Sequence, residues 1–275
     1  MKEGGSQTAK MVAAFRGQAS RVDDPICDDP WADALAGEDG AQIAAQYAEF
    51  NPHAMLWMAV RTGFLDQLVR NTDATQIVLL GAGLDTRAAR LGRDGVRFFE
   101  VDHPSTQATK RARLSELDGY PEQAATYVSC DFETDDPIAR LVAEGLDPGA
   151  PTLVLWEGVV HYLSEEAIRT TLHRIATGLD PRSLLVFDTV SKLVAQNRSR
   201  REMDQELTKL VDDVGEPLRF GLDDAVPLLN DCGFRHVRTV SFDEACLALT
   251  GTYERERAFR FQHFVLASPA RPFAF

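Results

Sequence analysis

The chain has 275 residues, 44% hydrophobic and 26% charged, with a formal net charge of −13. That is enough apolar material to bury a full core, in one large domain with elaborations. A field of that sign argues against phosphate backbones and anionic membranes, so no nucleic acid and no membrane is expected as partner. Cys27, Cys130, Cys232 and Cys246 are far apart and the histidines are scattered, so the thiols read as reduced core residues and no metal site is expected. The polar start and the lack of any apolar run near the ~18 residues of a membrane span point to a cytoplasmic protein.

Residues 1–72 read as an N-terminal helical segment broken at Pro25 and Pro30. Asp28-Asp29-Pro30-Trp31-Ala32 is a turn into a short helix, with Pro30 at its first position. Asn51 is expected to cap a longer helix from Pro52 to about Arg70, which carries Arg61.

Residues 73–190 alternate strand, loop and helix. The expected strands are Ile77–Leu80, Arg97–Val101, Thr126–Cys130, Thr152–Trp156 and Leu184–Asp188. Helical stretches around Thr86–Leu91, Ser105–Leu117, Pro137–Glu144 and Glu165–Leu179 lie between them. Such alternation implies an α/β, doubly wound, mostly parallel sheet whose ligands sit beyond the carboxyl ends of the strands. Gly81, Asp102, Asp131 and Glu157 follow four of those strands and should meet in one crevice. Residues 191–220, charged and helix-prone, read as a lid. Residues 221–275 complete the sheet, with a helix over Asp223–Asp231 ending at Gly233 and a closing antiparallel pair, His236–Phe242 and Ala258–Ala267.

The most informative stretch is Leu79-Leu80-Gly81-Ala82-Gly83-Leu84-Asp85-Thr86-Arg87. Gly81 and Gly83 follow an apolar strand where the chain must turn and let a ligand approach its backbone. Asp102 lies 19 residues beyond Gly83, near the spacing at which an acid meets ribose hydroxyls in nucleotide-binding α/β folds. A dinucleotide fingerprint calls for Gly or Ala at position 86, where this chain has Thr86. Asp85 would repel a pyrophosphate, whereas a sulfonium or ammonium would attract it. The loop therefore favours S-adenosylmethionine over NAD.

This loop, together with Phe99-Glu100-Val101-Asp102-His103-Pro104, Trp156-Glu157-Gly158-Val159-Val160-His161-Tyr162-Leu163, Asp28-Asp29-Pro30-Trp31 and the helix bearing Arg61-Thr62, resembles the leucine carboxyl methyltransferase family from about Phe15 to about Val194. The resemblance implies a Rossmann-like, seven-stranded sheet with an antiparallel final strand. It also implies S-adenosylmethionine-dependent O-methylation of a carboxylate. By that resemblance Arg61 would hold the methionyl carboxylate, and Gly81 and Gly83 would let the cofactor lie on the loop. Asp102 would take the ribose hydroxyls, Asp131 and Phe132 would flank the adenine, and Glu157 would face the ammonium. Arg16 or Arg21 would add an N-terminal cation. One Arg with several acidic acceptors also suits the cofactor's own charges.

A carboxylate acceptor is ionised at neutral pH and needs no base, whereas a phenol would gain from one, with His161 and Tyr162 as candidates. Arg198, Arg200 and Arg201 of the lid could meet an anionic acceptor. The expected acceptor is a small, polyketide-like acid. A hydroxyl, a phenol or a protein C-terminal carboxylate stands as the alternative acceptor. A non-catalytic cofactor-binding protein and an NAD-dependent oxidoreductase stand as alternatives of another class.

Overall fold

Short apolar runs, each stopped by glycine, a charged residue or a turn, build the sheet. The computed structural model describes residues 6–252 and 262–273. Its strands are β1 (Gln76–Leu80), β2 (Arg97–Asp102), β3 (Ala125–Ser129), β4 (Thr152–Trp156), β5 (Leu184–Val190), β6 (His236–Ser241) and β7 (Gln262–Ser268). They lie in the order β3-β2-β1-β4-β5-β7-β6. β1 to β5 are parallel, and β7 runs antiparallel to both β5 and β6. The order reverses between β1 and β4, which opens a crevice at their carboxyl ends. β1 and β4 are buried at every position, as a strand covered on both faces must be.

The helices are α1 (Gln7–Ala19), α2 (Ala32–Phe50), α3 (Ala54–Asn71), α4 (Arg87–Leu91), α5 (Pro104–Leu114), α6 (Pro137–Ala143), α7 (Glu165–Gly178), α8 (Lys192–Ala195), α9 (Glu202–Asp213), α10 (Val226–Cys232) and α11 (Phe242–Thr250). One core cluster joins α1, α2 and α3 to one face of the sheet. Another joins α6, α7 and α10 to the opposite face. Among the described residues no helix is long and apolar enough to cross a membrane.

Several boundaries differ from the sequence-based expectation, for local reasons. Asn51 is wholly buried and precedes α3 without capping it; its Oδ1 accepts from His53 N and its Nδ2 donates to the Tyr47 hydroxyl. Pro30 stands outside α2, because Asp29 accepts from Trp31 N and Ala32 N and so forms the turn itself. The proposed lid is two helices, α8 and α9. The strand expected through Phe242 stops at Ser241, whose side chain and that of Glu244 form a reciprocal capping box that starts α11. Gly233 ends α10 in the left-handed region, as expected. Of the last expected strand, residues 258–261 lie outside the described residues, and the remainder forms β7.

A buried ion pair joins α5 to the sheet. Lys110 Nζ lies 2.5 Å from Glu100 Oε2, with both side chains about 2% exposed. Burial holds the Glu100 carboxyl above its ordinary value, against the pull of Lys110. Lys110→Met should leave that carboxylate unpaired and destabilise the fold by about 3–5 kcal/mol in urea unfolding. The double variant with Glu100→Leu should recover most of the loss; a double variant as unstable as the single one would show that the pair is not the cause.

Candidate active site

The loop after β1 is shaped by steric demand. Gly81 and Gly83 have φ of +65° and +51°, a region open chiefly to glycine. A Cβ on Gly81 would fall 2.3 Å from Val159 Cγ2, so the loop after β4 closes directly over it. Gly81 N and Ala82 N donate to Val101 O at 2.7 and 3.1 Å, which ties this loop to the end of β2. There Asp102 accepts from Gly83 N and His103 N. Burial raises its carboxyl above the ordinary range, and those two N–H groups only partly offset the effect. Asp102 is thus a desolvated acceptor on the cavity wall.

Below the loop lies a compact charge network. Arg87, 2% exposed, donates through Nε to Asp66 Oδ1 at 2.7 Å and through Nη1 to Glu157 Oε2 at 2.7 Å. Its Nη1 also pairs with Asp85. Arg90 adds a second cation on Asp66, at 2.6 Å. Burial alone would raise the Asp85 carboxyl, but Arg87, Arg16 and Lys110 pull it down to about 2. Asp85 also accepts from Arg87 N and so sets the start of α4. The other oxygen of Glu157 lies 2.8 Å from Arg61 Nε, and Arg61 Nη1 is 3.6 Å from Asp188 Oδ2. Asp188 in turn accepts from Gly158 N and from Gln262 Nε2.

The ends of β3 and β4 supply the remaining wall. The Asp131 side chain accepts from Glu133 N within its own turn, while Asp136 caps α6. Phe132 packs on Trp156, with ring centroids 6.0 Å apart. His161 is buried, and among the described residues its Nδ1 has no hydrogen-bond partner. Burial, aided by Arg61 and opposed by Asp188, pushes its pKa down to about 4. Burial raises the Tyr162 hydroxyl, which hydrogen-bonds with Thr8.

These residues surround a cavity of about 550 Å³. Arg61, Gly81, Gly83, Asp85, Asp102, Asp131, Phe132, Glu157, His161 and Tyr162 all line it, as does Arg16. Arg16 donates to Asp29 and to Leu84 O. Arg21 does not line it; it pairs with Asp33 at the surface. Arg198, Arg200 and Arg201 also lie outside it, exposed on the stretch before α9. The α9 residues on the cavity are instead the apolar Leu207 and Val211. The roof is fastened by Glu216, whose carboxylate accepts from Ser6 Oγ, Gln7 N, Thr8 N and Thr8 Oγ1 at the start of α1.

Sequence reasoning left Arg87, Asp66, Asp188 and Glu216 without a role. For Asp188 a signal existed: an acid inside the apolar run of β5 must find a partner once buried. Arg87 stood inside the glycine-loop motif. Nothing local marks Asp66 or Glu216.

A family model described as leucine carboxyl methyltransferase matches residues 9–176. A Mycolicibacterium vanbaalenii protein named "Putative S-adenosyl-L-methionine-dependent methyltransferase" is 33% identical over 247 residues, covering 83% of this chain and 77% of its own. A Mycobacteroides abscessus protein of the same name is 34% identical over 239 residues, covering 80% and 76%. Among solved structures, a DUF574 family protein from Streptomyces avermitilis aligns with a TM-score of 0.67 at 14% identity, over 97% of this chain and 98% of that one. A Thermobifida fusca protein titled a putative methyltransferase aligns at 0.62 and 15%, over 96% and 95%. At these identities the two structures show a shared fold.

The low pKa of His161 gives a pH prediction. The unfolded chain binds a proton here near pH ~6.5 and the folded chain only near 4, so stability should fall as pH drops from ~6.5 towards 4. His161→Asn should remove up to about 3 kcal/mol of that fall, read as the difference between the two proteins' urea midpoints across the interval. Parallel curves for the two proteins would contradict the burial argument.

Proposed function

The chain belongs to the leucine carboxyl methyltransferase family and is an S-adenosylmethionine-dependent methyltransferase, and on that premise we propose that it esterifies the carboxylate of a small, largely apolar acid. The observation that carries this reading is the state of His161 and Tyr162, the two candidate bases on the turn after β4. His161, near pKa 4, is a poor base for a hydroxyl. Drawing a proton from a phenol near pKa ~10 would run uphill by about six units, or ~8 kcal/mol. Tyr162, with its hydroxyl raised by burial, is protonated at neutral pH. An already ionised carboxylate asks for neither.

The residues present suit the cofactor. Asp102 is a desolvated acceptor for a diol, and Asp131 and Phe132 flank the place proposed for the adenine. Glu157 and Arg61 offer one anion and one cation for the amino-acid end. The bound cofactor supplies a methyl group already activated by its sulfonium. What remains for the chain is to hold the acceptor oxygen in line and to exclude water. The apolar roof and the clasp of Glu216 on α1 serve that exclusion. Asp85, which lines the cavity, also pairs with Arg87 and accepts from Arg87 N, and so fixes the loop.

Asp102→Asn should weaken S-adenosylhomocysteine binding about ten- to a hundredfold in calorimetry, the range for losing hydrogen bonds to a charged group. Incubation with S-adenosylmethionine and a panel of apolar acids and alcohols should yield products that release methanol in mild alkali. Alkali-stable methyl products would replace the ester reading with an ether one.

A further inference from the structure

We propose that Arg219 binds the acceptor's carboxylate and sets the specificity of the site for acids; this rests on the carboxylate reading above. The cations among the described residues lining the cavity are Arg16, Arg61, Arg87 and Arg219. The first three are buried and already held by carboxylates: Arg16 by Asp29, Arg61 by Glu157 and Asp188, Arg87 by Asp66, Asp85 and Glu157. Arg16 and Arg87 cannot turn to an incoming anion without stranding a buried acid, at the cost of several kcal/mol typical of such breaks, and Arg61 is the cation proposed above for the cofactor's own carboxylate. Arg219 differs. Its side chain is 51% exposed and its one ion pair among the described residues, Nη1 to Glu133 Oε1 at 2.8 Å, lies at the surface.

Glu133 can release Arg219 and stay satisfied. It accepts from Ser164 N at 3.0 Å and Ser164 Oγ at 2.6 Å. An exposed pair of this kind contributes little, whereas a planar guanidinium can grip a carboxylate through two parallel hydrogen bonds. Arg219 is also fixed at its backbone. Its N–H donates to His161 O at 2.7 Å, which anchors the strap holding Arg219 to the turn after β4. The same cavity is lined by Met11, Trp57, Val190, Leu207, Val211 and Leu218, which suit an apolar body. An apolar monocarboxylate would thus meet one exposed cation, on the strap, beside these apolar side chains. The exposed arginines before α9 do not line this cavity.

The proximity of Glu133 to Asp131 offers the competing role, in which Arg219 covers the cofactor. The experiment separates the two. Protein saturated with S-adenosylhomocysteine is titrated with 4-phenylbutyrate and with its uncharged amide, for the wild type, Arg219→Ala, Arg219→Lys and Glu133→Gln. The wild type should prefer the acid by at least about tenfold. Arg219→Ala should abolish that preference, leave the amide unchanged and leave S-adenosylhomocysteine affinity within about twofold. Arg219→Lys should restore part of the preference, and Glu133→Gln should strengthen it. The proposal is overturned if Arg219→Ala weakens the nucleotide instead, if acid and amide weaken equally, or if the wild type binds neither. Failure of the carboxylate reading itself would show separately, as alkali-stable products from the wild type.

Discussion

The site depends on a guanidinium with nowhere else to go. Arg87 opens α4 immediately after the glycine loop and is buried against Asp66 of α3, Asp85 of the loop and Glu157 after β4. Burial opposes its charge, yet the three carboxylates hold it charged well above its ordinary range. Such a cluster is weak evidence for stability, since desolvation offsets much of the attraction. Its consequence is geometric: it locks the helix before the sheet, the nucleotide loop and the β4 turn in one arrangement, and all three face the cavity.

The remaining charges follow from that arrangement. Glu157 has one oxygen on Arg87, so the other is left for Arg61, and Arg61 is steadied in turn by Asp188. Asp188 reaches further, through Gln262, to Trp57 on the cavity wall. The floor is therefore a rigid polar lattice. The roof is of another kind: apolar side chains of α1 and α9, fastened by Glu216 at the start of α1. A polar floor that orients and an apolar roof that excludes water are what an in-line methyl transfer requires.

Much of this was legible in the chain. The buried strands, the glycines after β1 and the acids at the carboxyl ends of β2, β3 and β4 obey local rules of patterning and spacing, and those glycines and acids do converge on one cavity. α11 could have been read as well, from Ser241 and Glu244 ahead of an apolar run. The unread part is that in which a residue's meaning lies in a distant partner. Asp66 looks like an ordinary helix-surface acid until Arg87 and Arg90 are brought onto it. Arg198 and Arg201 lie outside the cavity while Leu207 and Val211 line it; composition cannot say which side chains of a charged helical stretch turn inward. Arg219, in an unremarkable stretch beside Pro217, is distinguished only by the partners that the other three arginines already have.

The most direct test is a crystal structure of the protein with S-adenosylhomocysteine. It should show the ribose hydroxyls on Asp102, the amino-acid carboxylate on Arg61 and the ammonium near Glu157, with Arg87 and its three carboxylates unmoved. A nucleotide bound away from Asp102, or an Arg87 cluster that opens to admit it, would contradict the claim that this network presets the site.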